Sequence, residues 1–236
     1  MTKKQSKIQT IFVILQAKTV KQMKTSDDRQ HLLRLIAQGE HQQQDFKYKV
    51  MDAEKLARSV SAFANTDGGR LLIGVRDDGH ISGIRSEEEI YMMHSAAYKY
   101  CTPQPSIHFD TLHAEGRNVV IATIPPSPQK PVFALTAEGK RRAYIRIADE
   151  NIIASPVHLD IWRQEALKQG VLLHYSDDEA ALMEVLKKHP PLTLNQTVRL
   201  ARLPRHKVIR LLARFIRFDL ATWKYEDERF LFSLAE

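Results

Sequence analysis

The chain has almost no cysteine. Its 236 residues include only Cys101, which excludes an internal disulfide and a cysteine-ligated zinc cluster and fits a reducing cytosol. Long apolar runs are missing too. The longest early one, Ile11 to Leu15, falls far short of the roughly 20 residues a bilayer span needs. Gln16-Ala17-Lys18 behind it is a poor signal-peptide cleavage region, so a cytoplasmic protein that avoids membranes is expected. No G-x-x-x-x-G-K-[ST] is present, which removes the P-loop reading, and no G-x-S-x-G nucleophile elbow occurs. The ten histidines show no H-x-x-x-H or comparable metal spacing.

Residues 1 to 22 lack acid altogether. They hold Lys3, Lys4, Lys7, Lys18 and Lys21, so the net charge of +7 falls to 7 − 5 = +2 without them. Net charge is therefore poor evidence for an acidic partner, and local clustering must carry that argument. These residues show no helical or strand period, and Met23 stands just before the first convincing helix cap. They are expected to be a dispensable basic leader, with an upstream start codon as one origin. The remainder is ordinary globular material, 43% hydrophobic and 27% charged, long enough for one or two domains.

The stretch Ala62 to Ile84, AFANTDGGRLLIGVRDDGHISGI, organises the chain. It reads as a helix end, a glycine turn at Asp67-Gly68-Gly69, a buried strand through Leu71 to Val75, a tight Asp78-Gly79 turn and a return strand over Ile81 to Ile84. The glycine pair follows a helix and precedes a strand, so it reads as a turn rather than a phosphate cradle. Upstream, a helix from Ser26-Asp27-Asp28 ends at Gly39. Asp45 to Val50 alternates, with Phe46, Tyr48 and Val50 on one face of a half-buried strand and Asp45, Lys47 and Lys49 on the other. Asp52 starts an amphipathic helix with Leu56, Val60 and Phe63 at helical spacing. Downstream, Ser86-x-x-Glu89 is a capping box for a helix to about Tyr100. Hairpins follow around Glu115-Gly116-Arg117 and Glu138-Gly139-Lys140, with a proline-stiffened loop between them. Residues 23–154 thus read as an α+β domain with a mainly antiparallel sheet and flanking helices.

Ser155-Pro156 opens a linker helix to about Gln169, within a connecting segment 155–176. Residues 177–236 then run helix, helix, helix, hairpin, the order of a winged helix-turn-helix. Trp223, Tyr225, Phe230 and Phe232 alternate and are expected to pack the wing onto these helices. Between Arg199 and Arg217 lie Arg202, Arg205, Lys207, Arg210 and Arg214 with no acid. Val208, Leu211, Leu212 and Phe215 form the apolar face of the last helix. Lys207, Arg210, Arg214 and Arg217 fall on one stripe expected to face outward, as a recognition helix requires. The Glu226-Asp227-Glu228 wing tip would repel phosphate.

Three segments together resemble the Schlafen-type AlbA domain. They are the central stretch with Asn65, Gly68 and Gly69; Gly39-Glu40 followed by Asp45-Phe46-Lys47; and Pro131-Val132 followed by Tyr144-Ile145-Arg146 and Asn151. The resemblance implies a nucleic-acid-binding module common in bacterial transcriptional regulators. DNA is the expected partner, RNA the second, and a homodimer the expected assembly, since helix-turn-helix proteins commonly read two half-sites. In Schlafen-family ribonucleases the nuclease acids stand where Glu40, Asp45 and Asp77 stand here, although Asp45 is one methylene shorter than the family's Glu and Asp78 competes with Asp77; Lys47 nearby could stabilise phosphorane charge. The resemblance therefore carries a runner-up reading, a metal-dependent endoribonuclease using Mg or Mn. No cofactor is expected on the first reading. An interaction module and an ATP-binding module are more remote.

Overall fold

The computed structural model describes residues 27–84, 86, 88–167, 176–189 and 191–235. The lysine-rich leader, Ser26, Gly170 and Pro190 lie outside these residues. No described helix is long and apolar enough to cross a membrane.

The architecture is α+β, with antiparallel pairing dominant. Helix α1 covers residues 27–36, and Gly39 turns the chain at φ +69°. Strand β1 (Gln44–Lys47), helix α2 (Ala53–Asn65) and strand β2 (Gly69–Ile73) follow. β1 and β2 pair in parallel, Asp45 opposite Leu71 and Phe46 opposite Leu72, as a strand–helix–strand crossover permits. Helix α3 (Glu88–Tyr98), β3 (Cys101–Thr102), β4 (His108–Ala114) and β5 (Arg117–Ile124) come next. They complete a first sheet of order β1-β2-β5-β4. A second sheet, β3-β6-β7-β8, adds β6 (Phe133–Leu135), β7 (Arg141–Ile147) and β8 (Glu150–Ile153).

Both faces of the first sheet are covered. Leu72, Val119 and Ile121 point to Leu32 and Leu35 of α1. Leu71, Ile73, Val120 and Ala122 point to α2, whose other side meets Tyr144 and Ala134 of the second sheet. Helix α2 is amphipathic in its first half, where Lys55 and Arg58 are exposed, and fully buried from Ser59 to Asn65, where Ser59, Ser61 and Asn65 join its apolar residues. Asp52 caps it, accepting from the Glu54 and Lys55 amides at 3.0 and 3.1 Å. Cys101 sits in the same core, and burial pushes its thiol pKa up to about 12, which leaves it inert at neutral pH.

Two strand expectations need correction. The β1 strand stops at Lys47, and Asp45 is as buried as Phe46, because the second sheet covers the face expected to meet water. The expected return strand over Ile81 to Ile84 reduces to one bridge, Val75 to Ile81. Gly83 turns away at φ +70°, and Ile84 N–H reaches Asn118 O at 2.8 Å instead.

Helix α4 (Pro156–Glu165) opens on the Ser155 cap. It ends before the expected Gln169. After it come α5 (Asp177–Lys188), β9 (Leu192–Thr193), α6 (Leu194–Ala201), α7 (Arg205–Arg217), β10 (Ala221–Glu226) and β11 (Arg229–Leu234). Val208, Leu211, Leu212 and Phe215 of α7 pack with Leu182 and Leu186 of α5, Val157 of α4, and Phe232. Of the four hairpin aromatics, only Phe232 is fully buried among the helices. Trp223 and Phe230 meet His158 of α4 edge-on, at ring separations of 4.5 and 4.9 Å, and Tyr225 lies 4.9 Å from Phe230. Trp223 and Phe230, with Trp162, also pack against Ala143 and Ile145 of the second sheet. Trp223, Phe230 and Phe232 pack the hairpin onto the helices as expected; Tyr225 is the exception and meets Phe230.

Burial lowers the His158 pKa to about 4. The unfolded imidazole takes up its proton near pH 6.5, so this packing is fully stabilising above 6.5 and weakens as pH falls toward 4. At about pH 5.5 the loss should be on the order of 1 kcal/mol. Denaturant melts from about pH 8 to 5 should show it, and His158→Phe should flatten that slope. An equal slope in both proteins would refute the assignment.

Candidate functional site

Polar chemistry concentrates at two places. The first lies where β1 meets the second sheet. Asp45 forms an ion pair with Lys47 at 2.6 Å and with Arg146 of β7 at 3.5 Å. Arg146 is 2% exposed. It also donates to Gln44 O at 3.2 Å and Asn151 Oδ1 at 3.0 Å, and its guanidinium lies 5.1 Å from the Phe63 ring centre. Glu40 accepts from the Phe46 amide at 2.8 Å. Its carboxyl pKa is raised, first by burial and then by a hydrogen bond and charge from Asp45. Glu40 is thus held beside Asp45, whose own counter-ions are Lys47 and Arg146.

Asp77 does not join them. Asp45 is opposite Leu71, and Asp77 stands 77 − 71 = 6 residues further along, exposed in the turn beside Tyr48, Arg76 and Asp78. Among the described residues no three His, Cys, Asp or Glu side chains are placed to hold a metal ion. Asp45 already has two cations, Lys47 and Arg146. The residues present do not fit a metal held by Glu40, Asp45 and Asp77, which corrects the expectation that these acids converge. The physical reason is the parallel β1–β2 register, which carries the turn after β2 away from Asp45.

The family-motif turn is a structural device. Asn65 Nδ2 donates to Val132 O and Tyr144 O, both at 2.9 Å, and Asn65 Oδ1 accepts from Val132 N–H at 2.7 Å. It thereby links α2 to both strands at the open base of the β6–β7 hairpin. Gly68 holds φ +72° under Pro126. A Cβ on Gly69 would sit 2.4 Å from the Phe63 ring, so both glycines answer to close packing.

The second place is α6 and α7 with the turn between them. Arg202 in that turn is left-handed, φ 55°. Pro204 is the N-cap of α7, and helical geometry begins at Arg205. The outward stripe is not as expected. Arg214 is paired with Glu179 of α5 at 2.7 Å, its side chain 19% exposed and its partner's 6%. Arg217 donates to Gln164 of α4 at 3.3 Å. Lys207 is exposed but paired with Asp178 at 2.6 Å. Helices α4 and α5 pack across the flank of α7 that carries these cations, and acids and amides there take them up. Arg199, Arg202, Arg205 and Arg210 remain exposed, with no carboxylate paired to any of them among the described residues. Arg205 is held only by Asn195, at 2.5 Å.

Arg146 and Asn151 are members of the acidic cluster that residue chemistry alone did not pick out. Their signal was their place in the Y-I-R … N pattern. Glu179 and Gln164 had no such signal, since only the packing of α5 and α4 brings them to α7.

Residues 40–155 match the Schlafen, AlbA_2 family. No curated protein matches the sequence. Among solved structures, the DIP2311 protein from Corynebacterium diphtheriae is similar at 19% identity and a TM-score of 0.43 over 80% of this chain, which spans 34% of that protein. The N-terminal domain of a RecG-related protein from Nitrosomonas europaea is similar at 19% identity and a TM-score of 0.39, covering 63% of this chain and 96% of that one.

Proposed function

We propose that this chain, which carries a Schlafen AlbA_2 family domain over residues 40–155, is a DNA-binding protein of the transcriptional-regulator kind. Its C-terminal elements act as a winged helix-turn-helix, and two copies read paired half-sites. The observation that carries this reading is the set of exposed guanidinium groups with no carboxylate partner among the described residues, Arg199, Arg202, Arg205 and Arg210, along the α6–turn–α7 edge. Each can replace the counterions of a phosphate or reach a base edge. The family supports a nucleic-acid-related role. The separation of Asp77 from Glu40 and Asp45 favours binding over metal-dependent cleavage.

Lys207 stays in the interface as a second-rank contact, since it must leave Asp178 before it can meet phosphate. Arg214 and Arg217 drop out of it. Arg202→Ala and Arg210→Ala should each weaken duplex binding by about 1 kcal/mol and lower the magnitude of the salt slope by about one. Arg217→Ala should leave that slope unchanged. The experiment is electrophoretic retardation on duplex DNA and on RNA at two salt concentrations, with and without Mn²⁺. Retardation of DNA lost in the Arg202 and Arg210 variants supports the proposal. Cleavage that depends on Mn²⁺ and Asp45 would replace it with the nuclease reading. Unchanged affinity in both folded variants would remove the arginines from the interface.

A further inference from the structure

A cavity of about 390 Å³ opens where α4, α6, α7 and β11 meet, within the size range of small-ligand sites. Arg205 and Arg229 line it from opposite elements, and no acidic residue does. Neither arginine has a carboxylate partner among the described residues. Asn195, also on the wall, holds one Arg205 nitrogen at 2.5 Å, and the other guanidinium donors have no protein partner among the described residues. Phe230 and the fully buried Phe232 form an apolar side, and both guanidinium groups stay exposed at its mouth. The hydroxyl-bearing caps of α4 and α6, Ser155 and Thr193, complete the lining. The acids of the hairpin tip, Glu226, Asp227 and Glu228, are not part of it.

We infer that this cavity is a phosphate-ester site in which Arg205 and Arg229 grip the phosphoryl oxygens from two sides. Two planar guanidinium forks suit a tetrahedral oxyanion with several acceptor oxygens. The phosphate comes either from the backbone of a bound nucleic acid or from a free phosphate ester. The backbone source rests on the DNA-binding reading, and the free ester does not. The wall joins Ser155 and Pro156 at the start of α4 to β11, so an occupant would hold α4 and the hairpin together. A free ester would also compete with DNA for Arg205.

Arg229 is the residue to test, because it is not among the arginines assigned to the α6–α7 edge. The full chain would be titrated calorimetrically with pyrophosphate, with a nucleoside 5′-monophosphate and with duplex DNA. The variants are Arg229→Gln, Arg229→Lys and, as an exposed arginine outside the cavity, Arg58→Gln. Thermal melts verify folding, and Asn195→Ala, which frees Arg205, gives a second route if Arg229→Gln fails to fold. Binding of the nucleoside 5′-monophosphate, weakened tenfold or more by Arg229→Gln or Asn195→Ala and partly restored by Arg229→Lys, establishes a free-ester site, and the same response with pyrophosphate establishes that the two arginines grip phosphoryl oxygens alone. DNA affinity reduced several-fold in Arg229→Gln, with a smaller salt slope and no such change in Arg58→Gln, establishes the backbone site. Ligand and DNA affinities that respond to Arg229→Gln no more than to Arg58→Gln overturn the inference. A wild-type protein that binds pyrophosphate but no DNA would defeat the functional proposal and leave this site standing.

Discussion

Asn65→Ala should destabilise the protein by about 2–5 kcal/mol, far more than a typical exposed polar substitution. The side chain is 3% exposed and joins α2 to Val132 and Tyr144. Truncation leaves the Val132 amide without the oxygen it donates to, and the Tyr144 carbonyl without the Asn65 amide. Each buried group so abandoned costs about 1–3 kcal/mol. Ser61 limits the damage, since its hydroxyl still donates to Val132 O at 2.7 Å and accepts from Tyr144 N–H at 3.0 Å. Asn65→Asp is the sharper probe. It keeps the acceptor for Val132 N–H, removes both donors and introduces a carboxylate among carbonyls, so it should be at least as harmful as alanine. Denaturant melts measure both, and a loss under about 1 kcal/mol for both would mean that water replaces the amide.

The second large effect is expected at Arg214. Its alanine variant should lose about 3 kcal/mol, because the Glu179 carboxylate then stays buried without its cation, the Ser176 hydroxyl being its remaining partner among the described residues. The sequence led to the opposite expectation, a solvated cation whose removal leaves stability unchanged. A paired replacement, Arg214→Met with Glu179→Leu, should recover most of the loss, since two apolar side chains can fill the space without desolvating charge. The folded double variant should keep the salt slope of DNA binding. A slope lowered by about one would return Arg214 to the interface.

Local signals reproduced most elements. The Asp52 cap and the turns at Glu115-Gly116 and Glu138-Gly139 depend on residues within a few positions of each other, and each falls where the pattern put it. The short strands β3, β8 and β9 were not legible, since two to four residues carry too little period. The burial of Asp45 was illegible for another reason. Alternation describes a strand with one wet face, and a second sheet contributed from about a hundred residues away makes both faces dry. The basic stripe failed in the same way. Periodicity placed Val208, Leu211, Leu212 and Phe215 on the apolar face correctly, but nothing in α7 tells which of its cations α5 and α4 will claim.

Arg146 has a consequence for the order in which the chain can be finished during synthesis. It reaches back 102 residues to the Gln44 carbonyl and ties down the edge strand β1 through Asp45. A ribosome adds about 5–20 residues per second, so β1 waits roughly 5–20 s for that guanidinium to be made. Throughout that interval Asp45 lacks its deeper counter-ion, and the open side of β1 is a free strand edge on a growing polypeptide. A nascent chain arrested before residue 146 should therefore be cut by protease near β1, and one arrested well beyond it should resist.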